Sequence, residues 1–289
     1  MPFDVGENVG RYRIVEQLGQ GGMATVFRAY DSELDRAVAL KVLHPGFNDD
    51  PAFEARFRRE ASLVAMLEHP QIVSVYDYAE HEKRPYLVME YIEGRTLKTR
   101  LSRGSLSAEE IDRVVEAVGS ALAYAHGHGI LHLDVKPSNV LISRAGQVFL
   151  TDFGLARMAQ SGDAALSAEI VMGTPQYISP EQALGKTDLD SGTDIYSFGV
   201  VLYEMVVGQV PFTADTPSGV IHHHIYTPLP LPQTVNPDVP EQVEIVLRKA
   251  LAKDRADRYQ DVLTMIRDFR SAWAQTARQG AGFESHRPG

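Results

Sequence analysis

Asp134, Lys136, Asn139 and Asp152 fall within one stretch, His132–Gly154, that reads HLDVKPSNVLISRAGQVFLTDFG. Val140-Leu141-Ile142 and Val148-Phe149-Leu150 read as two short strands, with Arg144-Ala145-Gly146 between them as a hairpin turn. An antiparallel hairpin brings its two ends together, so Asp134, Asn139 and Asp152 are expected at one end. Two carboxylates and an amide oxygen suit Mg²⁺, a hard cation that takes oxygen ligands and shares them with phosphates. Asp and Asn are also ordinary turn residues. That accounts for any one of these residues, but not for the ordered set.

Other segments must position this cluster. Residues 11–92 read as strand-rich. Arg11–Gly19, Ala24–Asp31 and Ala37–Leu43 alternate apolar and polar residues, and Ile72–Tyr78 and Tyr86–Tyr91 return to strand. One helix is expected over Phe53–Glu68, with Phe53, Phe57, Val64 and Leu67 on one face. Past Gly94 the pattern turns helical. Ser107-Ala108-Glu109-Glu110 is a capping box that opens a helix through about Ala125. Further helices are expected at Ser179–Ala183, Asp194–Val207, Ser218–Tyr226, Pro240–Ala250 and Tyr259–Gln275. Pro228–Pro240, with five prolines, reads as a loop. The tail from Gln279 reads as frayed. His222-His223-His224 reads as a solvated helix face, because successive helical side chains diverge and converge poorly on one metal ion.

A second group of residues lies in the strand-rich part. Gly19-Gln20-Gly21-Gly22-Met23-Ala24 sits between two strands, followed by Val26 and by Val38-Ala39-Leu40-Lys41. A dinucleotide fingerprint needs a helix after its glycines, and here the strand-like TVFRAY follows. Gly185-Lys186-Thr187 imitates the end of a Walker A loop, but Pro180 occupies the first glycine position. Glu60 lies three residues after Phe57 and four before Val64, on the inward helix face, where a carboxylate needs a partner.

Taken together these motifs resemble the protein kinases: H-R-D-L-x-x-x-N, D-F-G, the glycine loop and V-A-I-K, in order. LVMEYIEGRTL, GTPQYISPEQ and DIYSFGVVLYEM are most similar to the bacterial eukaryotic-like (Hanks-type) Ser/Thr kinases, and the likeness covers roughly residues 11–272. The resemblance implies an α+β, bilobal protein-kinase fold. A small β-rich N-lobe with one main helix would span 11–93, a larger mostly α-helical C-lobe 94–275, and a disordered tail or linker 276–289. It implies transfer of the γ-phosphoryl group of ATP to Ser/Thr hydroxyls of protein substrates, autophosphorylation included, with ATP and Mg²⁺ as cofactors.

Residue by residue, the resemblance gives Asp134 the substrate hydroxyl and Lys136 the transferring phosphoryl group. Asn139 and Asp152 would take the metal, and Lys41, paired with Glu60, the nucleotide phosphates. Gly19 and Gly21 would cover the phosphates. Val26, Ala39 and Leu141 would sandwich the adenine, Met89 would be the gatekeeper, and Glu90 and Ile92 would offer backbone groups to the base. His132 would pack on Phe153, Glu181 would pair with Arg258, and Asp194 would anchor the catalytic-loop backbone. Thr174 resembles the threonine that marks Ser/Thr specificity. Leu133 departs from the pattern: it stands where the family has an Arg that binds an activation-loop phosphate. The loop Leu155–Met172 has only Ser161 and Ser167 as acceptors. Activation independent of loop phosphorylation read at this position is therefore expected, with a partner protein or a homodimer contact ordering the loop instead. The competing class is a pseudokinase scaffold, disfavoured because Lys41, Asp134 and Asp152 are all present.

Composition bounds the rest. The 289 residues are 44% apolar and 23% charged, enough for a substantial core. A net charge of −10 argues against broad nucleic-acid binding. The absence of cysteine excludes disulfides and thiol chemistry. The N-terminus lacks a signal-peptide pattern, and Phe198–Val207, interrupted by Glu204, is too short to span a bilayer. The expectation is a soluble cytoplasmic chain, or the cytosolic kinase module of a longer protein.

Overall fold

The computed structural model describes residues 3–22, 24–44, 58, 61–153 and 175–283, with the backbone alone over 275–283. Strands β1 (Asn8–Val9), β2 (Tyr12–Gln20), β3 (Ala24–Asp31), β4 (Arg36–Leu43), β5 (Val75–His81) and β6 (Arg84–Glu90) form one antiparallel sheet, ordered β1-β2-β3-β4-β6-β5. The central strand β4 is buried on both faces. Val38, Leu40 and Val42 join a core with Phe3, Ile14, Phe27 and Val88. Ala39 and Leu43 join a second cluster with Met89 and Leu87 on the opposite face. Side chains alternate along a strand, so Lys41 is carried on that second face.

After β6, residues 91–93 lead to β7 (Gly94–Thr96), which pairs with β8 (Val140–Ser143), itself paired with β9 (Val148–Leu150). Gly94 opens β7 because a Cβ there would stand 2.1 Å from the Ile142 carbonyl oxygen. The expected hairpin is present, with Val140 opposite Leu150 and Gly146 at φ +80° in its turn. β5 begins at Val75, three residues later than the alternation indicates. Ile72 instead forms a parallel bridge to Leu150, and the Val73 N–H donates to the Leu150 carbonyl at 3.0 Å. This brace ties the first sheet to the hairpin.

The second half is helical: α1 (Leu97–Leu101), α2 (Ala108–Gly127), α3 (Pro180–Ala183), α4 (Ser191–Val207), α5 (Pro217–Tyr226), α6 (Pro232–Val235), α7 (Glu241–Ala250) and α8 (Val262–Phe283). Ser107 and Glu110 form the capping box of α2 as expected. α4 is buried on nearly all sides, as a helix apolar all round must be. It starts at Ser191 rather than Asp194 because the Asp190 carboxylate accepts the Gly192 N–H. The proline-rich 228–240 segment contains the one-turn α6. The backbone of α8 is helical to Phe283, past residue 275 where the pattern placed its end.

The histidine run is not a uniformly solvated face. His222 is exposed, but His224 is fully buried, with Nδ1 3.0 Å from the Tyr196 hydroxyl. Among the described residues no group of three or more His, Cys, Asp or Glu side chains is placed to hold a metal ion. No helix among them is long and apolar enough to cross a membrane.

Candidate active site

Lys41 sits opposite Val26 on β3 and Leu87 on β6. It is 7% exposed, so its ammonium needs a counter-charge. Its Nζ lies 2.8 Å from Asp152 Oδ1. The small sheet and the end of the hairpin thus meet through one ion pair. Burial alone would push the Asp152 carboxyl up; the charge and hydrogen bond of Lys41, with the charge of Lys136, outweigh it and hold the carboxyl below its ordinary value. Glu60, the expected partner of Lys41, lies outside the described residues, as do Ser161, Ser167 and Thr174.

The loop before β8 gathers the other polar groups. Asp134 Oδ2 receives Lys136 Nζ at 2.7 Å and Asn139 Nδ2 at 3.0 Å. Asn139 Nδ2 also donates to the Asp134 carbonyl at 2.8 Å. The Thr151 N–H donates to the Asn139 carbonyl at 3.0 Å, which sets the residue before Asp152 against this loop. Asp134, Asn139 and Asp152 are therefore brought to one end of the hairpin. With Nδ2 spent on Asp134, Asn139 keeps its oxygen for a cation, and Asp152 is ionised. This all-oxygen donor set fits Mg²⁺.

His132 is fully buried. Its Nε2 lies 2.9 Å from the Thr151 carbonyl, so that nitrogen must carry the proton. Its Nδ1 accepts the Asp134 N–H at 3.2 Å. With both nitrogens occupied, and its ring 4.6 Å from that of Phe153, His132 positions the loop and is not a general base. Asp194 on α4 holds the same loop from beneath. Its carboxylate accepts the N–H groups of His132 at 2.8 Å and Leu133 at 2.7 Å, and His126 Nε2 at 2.8 Å.

Two residues of this site have left-handed backbone: Leu133 at φ +64° and Asp152 at φ +68°. Asp tolerates that region; for Leu it costs about 1–2 kcal/mol. Leu133 is held there by Asp194 on its N–H and by Gln182 Nε2, which donates to its carbonyl at 2.8 Å. Its side chain is 4% exposed, so an apolar residue is what this position buries.

Glu181 meets Arg258 in a buried bidentate pair, at 2.8 Å to Nη1 and 2.9 Å to Nη2. Thr193 Oγ1 donates to the same carboxylate at 2.8 Å. Arg258 also donates to the carbonyls of Ala252, Gly192 and Lys253.

The expected adenine-site residues lie together. Ala39 and Met89 belong to the apolar cluster on the Lys41 face, with Val26, Ile92 and Leu141 packed against it. Gly19 pairs with Val26, and the Gly21 N–H closes a tight turn on the Ala24 carbonyl at 2.9 Å. The Glu90 N–H is taken by Ser74, at 2.9 Å.

The buried histidines predict a pH dependence. Burial pushes both imidazoles down, His224 to about 3. Unfolded, each would titrate near about 6.5. Below that pH the unfolded chain binds more protons, so stability falls as pH drops, until the folded value is reached. For His224 alone the expected loss between about pH 7 and pH 5 is about 2 kcal/mol, read from denaturant midpoints. A midpoint flat across this window would contradict the buried neutral assignment. Asp152, Asp194 and Glu181, each held below its ordinary value by hydrogen-bonded partners (Lys41, His126 and Arg258) that outweigh burial, add losses below about pH 4.

Sequence reasoning missed His126, Gln182 and Thr193 as supports of the site. His126 and Thr193 had one usable signal, a polar residue within an otherwise apolar helix face.

The chain's likeness to known proteins agrees with this geometry. A model of the protein kinase domain matches residues 12–269. The probable serine/threonine-protein kinase PknB of Lactococcus lactis is 42% identical over 260 residues, 89% of this chain and 41% of that protein. PrkC of Bacillus subtilis, a serine/threonine-protein kinase, is 41% identical over 265 residues, 91% of this chain and 41% of that protein. The chain thus spans about two fifths of the length of these relatives. The crystal structure of the Mycobacterium tuberculosis PknI kinase domain superposes with a TM-score of 0.76 at 28% identity, covering 93% of this chain and 99% of that one. The small antiparallel sheet, the helical second half and the residues gathered between them are those of a protein kinase fold, and this chain belongs to the protein kinase family.

Proposed function

We propose that this chain is an active kinase that transfers the γ-phosphoryl group of ATP to Ser or Thr hydroxyls of protein substrates. The observation that carries the reading is the 2.8 Å contact between Lys41 and Asp152, which joins a strand of the first sheet to the segment just past the hairpin, beside the Asp134 loop. Asp134 Oδ2 is engaged by Lys136 and Asn139, which leaves Oδ1 to receive the proton of a substrate hydroxyl. Lys136, beside it, offsets charge on the transferring group. Lys41 would hold the nucleotide phosphates, with Glu60 as its second partner. Gly19 and Gly21 would allow close backbone approach over those phosphates. Val26, Ala39, Met89 and Leu141 would contact the adenine, with Glu90 and Ile92 at its edge. Asn139 and Asp152 would hold Mg²⁺, which when bound neutralises phosphate charge. The chain's own contribution is positioning plus electrostatics. Serine and threonine acceptors are supported by the names of the bacterial relatives, and Thr174 stands where specificity for them is read. Its compartment is proposed to be the cytosol, as a chain of its own or as the kinase module of a longer protein.

The experiment is incubation with γ-labelled ATP, Mg²⁺ and a generic protein substrate, with an EDTA arm and phosphoamino-acid analysis. Acid-stable label on Ser or Thr, lost with EDTA, is expected. Tight nucleotide binding without label would instead support the scaffold reading.

Regulation follows from Leu133. A buried apolar side chain offers nothing to a phosphate, so activation by a partner protein or a homodimer contact is proposed. Replacing both Ser161 and Ser167 with Ala should leave the rate within about threefold, since position 133 offers no cation to bind a phosphate placed on either. A near-total loss of rate would sink this idea.

A further inference from the structure

His224 is the buried titratable group that phosphoryl transfer leaves unused. Its Nε2 lies 3.0 Å from the Gln176 carbonyl and its Nδ1 3.0 Å from the Tyr196 hydroxyl. A carbonyl only accepts, so Nε2 carries the proton and Nδ1 accepts the Tyr196 O–H. The ring is therefore held in one neutral tautomer. Phe212 closes over it edge-on at 5.0 Å. The other polar groups around it are Lys253, whose Nζ donates to the His223 and His224 carbonyls at 3.0 and 2.7 Å, and His223, bonded to Thr227. Arg258 lies over the Tyr196 ring.

The partner of His224 lies in a significant place. Gln176 belongs to the single turn Pro175–Tyr177, whose residues are half-buried and partly open to solvent. Six residues on, Gln182 donates to the carbonyl of Leu133, the neighbour of Asp134. The segment is thus fixed to the catalytic loop at its far end and to α5 through His224 at its near end. Tyr177 adds a 2.7 Å bond to Glu204 on α4. The segment is bonded to the residue beside Asp134, so a peptide that presents a hydroxyl to Asp134, advancing about 3.3 Å per residue, has flanking residues within reach of it.

We infer that His224 is a positioning residue for the protein substrate: through the Gln176 carbonyl it sets the surface on which the residues flanking the acceptor Ser or Thr are read. This rests on the kinase reading. It places substrate affinity, but not nucleotide affinity, under the control of a residue on α5.

The test uses the whole chain and three variants, His224→Ala, His224→Gln and Tyr196→Phe, with two readouts. The first is the KM for a phosphorylatable peptide and for ATP. Leaving the Gln176 carbonyl without its donor should raise the peptide KM about tenfold in His224→Ala, with the ATP KM within about twofold. Gln can place an amide N–H near the Nε2 position and should recover most of the loss. Tyr196→Phe, which removes the hydrogen bond at Nδ1, should fall between. The second readout is amide hydrogen exchange over residues 175–178, expected to speed up in His224→Ala. Peptide KM and exchange both unchanged would overturn the inference. So would equal rises in peptide and ATP KM with no recovery by Gln, which is the signature of general destabilisation. If the wild-type chain transfers no phosphate, the kinase reading fails and exchange alone decides. Faster exchange at 175–178 then still assigns His224 the segment, and unchanged exchange removes it.

Discussion

Replacing Asp152 with Asn is expected to lower kcat/KM for phosphoryl transfer by about 10²–10³-fold while leaving the chain folded. The substitution is a clean probe for a backbone reason. Asp152 stands at φ +68°, a region that Asn visits as readily as Asp, so the exchange keeps size and conformation and removes only the charge. The lost charge faces Lys41 at 2.8 Å and is one of two proposed metal oxygens. The drop should appear in kcat, and the Mg²⁺ concentration needed for half-maximal rate should rise. Steady-state kinetics across a Mg²⁺ series checks both, and circular dichroism checks folding. A variant with wild-type kcat and Mg²⁺ dependence would remove Asp152 from the site.

The second large effect is on stability. Glu181→Leu should destabilise the fold by about 3–5 kcal/mol, because it strands a buried guanidinium. Arg258 is 2% exposed and Glu181 is its carboxylate partner. The carbonyls of Ala252, Gly192 and Lys253 would remain bonded to it but supply no opposite charge. Glu181→Leu combined with Arg258→Met should be less damaging than the sum of the two single changes, since the double variant leaves no unpaired ion. Urea midpoints of the four proteins close the cycle. Strict additivity would show that the pair is not energetically coupled. The same loss should slow catalysis, because the next residue, Gln182, holds the Leu133 carbonyl.

Much of the site was legible because it depends on short periods and local geometry. The V-A-I-K motif picked out Lys41 and Ala39, and the hairpin signal at Arg144-Ala145-Gly146 brought Asp134, Asn139 and Asp152 together. Asp194 and the Glu181–Arg258 pair came from resemblance alone; their geometry agrees with it. What escaped depends on distant packing. β5 starts late because Ile72 and Val73 brace β9, and no local pattern encodes that. His224 reads as a surface histidine until Tyr196, Phe212 and Gln176 are seen to close around it. The left-handed backbone at Leu133 is imposed by Asp194 and Gln182, which lie 61 and 49 residues away. A non-Gly residue in that conformation carries no signature of its own. Leu133 nonetheless drew notice as a departure from motif, and its burial supplies the physical content: the position packs an apolar side chain.

The most direct measurement compares label from γ-labelled ATP incorporated into protein Ser and Thr by the wild-type chain and by Asp134→Asn, at saturating nucleotide and equal Mg²⁺. The Asp134 carboxylate, held by Lys136 and Asn139, is assigned the substrate hydroxyl. Incorporation should therefore fall by about 10²–10⁴-fold, with nucleotide affinity changed little. Equal incorporation by the two proteins would contradict the assignment.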